Sequence, residues 1–168
     1  MEAEELRRIQ APLKDAYRTS PDAAFITLRA NGNIGEGISC KVDTGKAMVE
    51  AGLHPATGGT GMLACSGDLL LEALVACAGV TLKAVATAID FKLNDGRVLA
   101  EGDLDFRGTL GVDKEAPVGF KSIRLTFRLN TPEPKDKIDT LLKLTERYCV
   151  VYQTLVRGVG VNATIDVQ

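Results

Sequence analysis

The sequence has no tryptophan, one histidine, and only 5% aromatic residues in 168 positions. A core built from it must therefore be made of Ala, Val, Leu and Ile. A lone histidine, His54, excludes a multi-histidine metal site, and any triad chemistry would have to pass through that residue. No large charge of either sign is present. Lys plus Arg is 20 and Asp plus Glu is 22, a formal charge of −2, which argues against nucleic-acid binding by summed charge. The opening residues MEAEELRRIQ lack the apolar run of a secretory signal, so a cytoplasmic setting is expected. The four cysteines, Cys40, Cys65, Cys77 and Cys149, show no C-x-x-C spacing, so zinc fingers and thioredoxin-type motifs are excluded, and reduced thiols are expected. No cofactor is implied. The Gly-rich stretch at 44–67 lacks the Gly-Lys-Ser/Thr ending of a phosphate loop.

What is present is an ordinary globular mix, 45% apolar and 25% charged, enough for one domain with its own core. Residues 2–18 read as a charged helix, and 1–19 as a helical extension ahead of a domain over 20–168. Residues 23–30 and 36–43 alternate, with Asn31-Gly32-Asn33 as the turn of a hairpin. Residues 68–89, DLLLEALVACAGVTLKAVATAI, predict a helix about 33 Å long, apolar nearly all round. Glu72 and Lys83 inside it speak against a membrane span. Its small residues (Ala73, Ala76, Ala78, Gly79, Ala84) suit close approach by the same helix of a second subunit. Residues 99–110 and 120–129 alternate again. A helix follows Pro134, expected at the first helical position, with the stripe Ile138, Leu141, Leu142, Tyr148 and Cys149. Val159 to Val167 predicts a last strand. Alternating strands with one covered face argue an antiparallel α+β fold.

Cys77 lies on the long helix and Cys149 on the last apolar stripe. Both fit a core, where free cysteine is common, and both fit a nucleophile with a resolving thiol. The second role needs a thiolate. Cys77 is too deep in its own helix for that helix's dipole to supply one. A cation is then required, with Arg29 the first candidate and Arg18 the second. Asp68 fits a carboxylate at a helix N-terminus. Cys65 reads as a loop thiol or an alternative disulfide partner, Cys40 as core, and His54 as a loop residue or a base.

Three segments carry a resemblance: SGDLLLEALVACAGVTLKAVA (66–86), GDLDFRGTLGV…VGFKSIRLTFRL (102–129) and LTERYCVVYQTLVRG (144–158). Together they resemble the OsmC/Ohr superfamily over about residues 20–168. The resemblance implies an OsmC-like fold, an intertwined homodimer with antiparallel sheets wrapped around paired central helices, and active sites at the subunit interface. It implies a thiol peroxidase acting on organic hydroperoxides, with Cys77 peroxidatic, Cys149 resolving through a Cys77–Cys149 disulfide, and an external dithiol as reductant. The alternative is a relative without peroxidase activity that binds a small apolar ligand at the dimer interface. The family's peroxidases carry a Glu ten residues ahead of the first cysteine, orienting the activating Arg. Here that position is Gly67, with Asp68 one step later. Neither the 2–18 helix nor the His54 loop belongs to that pattern.

Overall fold

The structure is a computed structural model that describes residues 3–34, 40–42, 51–165 and 167; the side chains of Arg29 and Cys40 lie outside the description. The elements run α1 (Ala3–Thr19), β1 (Phe25–Ile34), β2 (Cys40–Val42), α2 (Ser66–Ala88), β3 (Asp95–Asp105), α3 (Phe106–Thr109), β4 (Phe120–Asn130), α4 (Lys135–Tyr148) and α5 (Val150–Arg157). The four strands form one antiparallel sheet in the order β2-β1-β3-β4, so the α+β expectation holds.

Alternation places Val98, Ala100 and Leu104 of β3 on the covered face, beneath Leu71, Leu74, Val75 and Ala78 of α2. Farther along α2, Leu82, Val85 and Ala86 pack with Phe91 and Leu141. Each fully buried leucine here stabilises the fold by about 1.5–3 kcal/mol relative to exposure. The helix α2 is long and apolar enough to cross a membrane by length and composition, but its inner face is used as the core of this sheet. It ends where Asp90 takes a left-handed conformation (φ 52°). Phe91 N–H then bonds Ala86 O at 2.8 Å and Asp90 N–H bonds Thr87 O, closing the end of the helix as a Schellman turn.

Three sequence expectations are corrected. Asn31-Gly32-Asn33 is not a turn: β1 runs through it to Ile34, with Gly32 paired to Val98 on one side and Val42 on the other. The hairpin's connection falls at 35–39, outside the described residues. Pro134 is the residue before α4, not its first. No strand forms at 159–165; Val159, Val161 and Ile165 are exposed, at 63%, 84% and 92%.

The connection before α2 is held from both ends. Gly52 N–H bonds Ala64 O at 2.9 Å. From α1, Tyr17 Oη donates to Ala56 O at 2.6 Å and Gln10 Nε2 to Thr57 O at 3.1 Å. The α1 helix is thus docked on this loop, with Tyr17 buried in the main core.

Candidate active site

Cys77 is the twelfth residue of α2, half-buried, on the side of the helix that meets α5. Its own helix N-terminus is three turns away. The N-terminus of another helix is not. The predicted single last helix is broken at Cys149, which adopts an extended conformation (φ −72°, ψ 109°) between α4 and α5. Cys149 is the C-cap of one helix and the N-cap of the next. Its N–H bonds Thr145 O at 2.9 Å, and its Sγ accepts the Tyr152 N–H at 3.5 Å. At 1% exposure it is fully buried.

The break leaves the first N–H groups of α5 without helical partners, and they turn to Cys77. Burial pushes the Cys77 thiol up. The N–H of Val151, the Cys149 thiol, the Thr81 hydroxyl and the N–H of Val150 outweigh that, and hold Cys77 below the ordinary thiol value. Cys149 goes the other way. Burial and the facing Cys77 push it up to about 11, against the N–H groups of Tyr152 and Val151. The two sulfurs therefore face each other, one held below the ordinary thiol value and the other pushed above it.

No hydrogen bond or ion pair links the other candidates to this pair among the described side chains. Asp68 is in the first turn of α2, nine residues before Cys77, or about 14 Å along the helix. Burial raises its carboxyl, offset by His54. Burial lowers His54, offset by Asp68. The His54 ring stacks on Phe106 at 5.0 Å, and its Nδ1 accepts the Ala56 N–H at 3.0 Å. Cys65, the residue before α2, joins His54 in lining a cavity of about 390 Å³. Arg18 is exposed and paired with Asp15 at 2.8 Å. Arg29 sits opposite Glu101 in the β1–β3 register, and its side chain lies outside the described residues.

Sequence reasoning missed the peptide N–H groups, which carry no residue signature. It also missed Thr81, which the i,i+4 spacing from Cys77 could have found. A groove of about 730 Å³ opens between α2, β4, α4 and α5, lined by Leu70, Leu74, Leu125, Phe127, Tyr152 and Leu155 among others; neither cysteine lines it, and Tyr152, whose N–H bonds Cys149 Sγ, joins the two.

The family model for OsmC-like protein matches residues 59–164, which include both cysteines. The chain belongs to the OsmC-like family. Its fold is similar to that of an OsmC-like hydroperoxide resistance protein from Jannaschia sp. CCS1, with a TM-score of 0.65 and 17% identity over 86% of this chain and 95% of that one. It is also similar to an OsmC-like protein from Mycoplasma pneumoniae, with a TM-score of 0.55 and 17% identity over 80% of this chain and 86% of that one. No match is found among the curated proteins. At this identity the likeness extends to the fold. For an OsmC-like chain, α1 and its docking on the 54–57 loop lie outside the matched family region.

Proposed function

We propose that the chain is a thiol-dependent peroxidase that reduces organic hydroperoxides. The observation that carries this reading is the cysteine pair, with Cys77 lowered by the α5 N–H groups and Cys149 raised to about 11 opposite it. The Cys77 thiolate attacks the terminal oxygen of the hydroperoxide. An S–O bond forms, the O–O bond breaks, and the departing alkoxide takes a proton to become the alcohol. Cys77 is left as a sulfenic acid. The Cys149 sulfur then attacks the Cys77 sulfur. Hydroxide leaves, joined by the Cys149 proton as water, and the Cys77–Cys149 disulfide remains. An external dithiol returns two electrons and two protons. A dithiol-reducing compartment such as the cytoplasm would supply that reductant.

The apolar groove that shares Tyr152 with the Cys149 cap suits a hydroperoxide with a fatty or aryl body better than hydrogen peroxide. Arg29 and Asp68 remain candidates for tuning the site. We further place the working unit as a homodimer formed through α2. The second reading, a non-peroxidase that holds a small apolar molecule, is favoured by the same groove together with Gly67 at the family's Glu position.

The test is a thiol count on reduced protein before and after cumene hydroperoxide. The native chain is expected to lose two thiols, Cys149→Ser only one, and Cys77→Ser none of the fast-reacting thiols. No thiol loss in the native protein, or the same loss in Cys77→Ser, rejects the peroxidase. Saturable binding of cumyl alcohol without thiol loss would establish the second reading.

A further inference from the structure

The groove between α2, β4, α4 and α5 has mostly apolar walls, interrupted by four polar side chains: Lys121, Ser122, Glu146 and Tyr152. Two of these are turned to partners that do not line it. Lys121 Nζ stands over the Phe25 ring, 4.0 Å from its centroid, and Ser122 Oγ donates to Asp103 Oδ2 at 2.6 Å. The other two meet across the α4–α5 junction. Tyr152 Oη donates to Glu146 Oε1 at 3.5 Å, well beyond the roughly 2.7–2.8 Å typical of such a bond. Glu146 is half-buried. The ion pairs of α4 are Lys135–Asp139 and Lys137–Glu133, and among the described residues none reaches Glu146. Arg147, the next residue, lies over the Tyr148 ring at 5.4 Å. Glu146 thus puts a negative charge on an apolar groove with only a weak donor beside it. It also lies in the last turn of α4, where the carbonyl end of a helix favours a positive charge. The junction holds it there: Gln153 Nε2 donates to Glu146 O at 2.7 Å, and Tyr152 N–H to Cys149 Sγ at 3.5 Å.

We propose that the groove is a binding site for an amphiphile with an apolar body and a protonated amine as its head, the head seated at Glu146. An ammonium group is a compact cation with three donors. It can bond the Glu146 carboxylate and the Tyr152 oxygen together, while its chain lies along apolar walls that include Leu74, Leu125 and Leu155. A carboxylate head meets the opposite arrangement: a charge of its own sign at Glu146, and at Lys121 a cation already seated on a ring. This ligand class follows from the groove and does not require the cysteine chemistry.

The experiment is isothermal titration calorimetry of the full chain near neutral pH with octylamine, octanol and octanoate. The native protein is expected to bind octylamine about tenfold more tightly than octanol, and octanoate more weakly than octanol. Glu146→Gln, which keeps the size of the side chain and an acceptor for Tyr152, should bring octylamine to the level of octanol. Tyr152→Phe keeps the carboxylate and should keep the preference for the amine. Loss of the preference in Tyr152→Phe would mean that the hydroxyl, not the charge, reads the head, and overturns the proposal. An unchanged amine preference in Glu146→Gln puts the amine elsewhere, and octanoate binding more tightly than octanol gives the head to Lys121; either result overturns it. So does failure of all three to bind, the result expected if a second copy fills the groove. Thiol loss with cumene hydroperoxide is measured alongside. Amine preference without thiol loss rejects only the peroxidase, and thiol loss without amine preference rejects only this ligand class.

Discussion

Two cysteines of identical chemistry, brought together from positions 77 and 149, are driven in opposite directions by where they sit. Cys149 is sealed in the core between two helices and favours its proton; Cys77 is half-covered and meets peptide N–H groups. The sign of the resulting pH dependence follows. A thiol whose folded value lies above its unfolded one stabilises the fold fully below the unfolded value. That contribution is lost as pH rises through the folded value. For Cys149 the window runs from the ordinary 9.0 to about 11. Urea denaturation under reducing conditions should therefore show stability falling across this window by at most about 3 kcal/mol. Cys149→Ala should flatten that fall; an unchanged slope would mean that the buried thiol does not set it. The identity of the pair was legible in the sequence. The N–H groups that face Cys77 were not, because they are backbone groups, which every residue owns.

At the scale of elements, strong periodicity was readable and junctions were not. The long apolar run of α2 and the alternation of β3 and β4 survive because their buried faces have partners. The turn signal at Asn31-Gly32-Asn33 is overridden because β1 is paired on both sides there, and two ladders outweigh a local preference. The break at Cys149 escapes a pattern reading because the apolar stripe continues across it. Another junction hides a clamp. Asp105 ends β3, is 1% exposed, and caps the single turn of α3 by accepting the Arg107 N–H at 3.1 Å. It also accepts Arg107 Nε and Nη2, at 3.0 and 2.6 Å. The Arg107 side chain holds its carboxyl below the usual carboxylate range, against the effect of burial. Removing one partner of a buried pair strands the other, so Asp105→Ala should cost about 2–4 kcal/mol. Arg107 keeps Asp113 at 3.1 Å, which limits the loss. Thermal unfolding followed by circular dichroism measures it. A change within about 0.5 kcal/mol, as at an ordinary surface site, would show that the pair is not a clamp.

At the scale of the molecule, the chain leaves apolar surface that a lone soluble protomer of this size would not usually carry in one direction. Along the outer side of α2, Leu70, Ala73 and Val80 are exposed, spaced at three and seven residues, with small Ala73 allowing close approach by another helix. The segment after α5 keeps the alternation of a strand without a sheet to join, and β4 is an edge strand whose apolar face is only half covered. In the homodimer proposed above, a second copy would cover these surfaces together: helix against helix, with the alternating tail free to add to an exposed edge. Sedimentation at micromolar concentration should give twice the chain mass of 17.9 kDa. Val80→Glu should shift it toward one, because an unpaired carboxylate at the centre of an apolar helix pair is costly to desolvate. Val80→Leu keeps the surface apolar and should remain dimeric. A native chain that sediments as a single protomer at every concentration would mean that α2 is not a dimer seam. A Val80→Glu chain that stays paired would move the seam elsewhere, with the tail and the edge of β4 the next surfaces to cut.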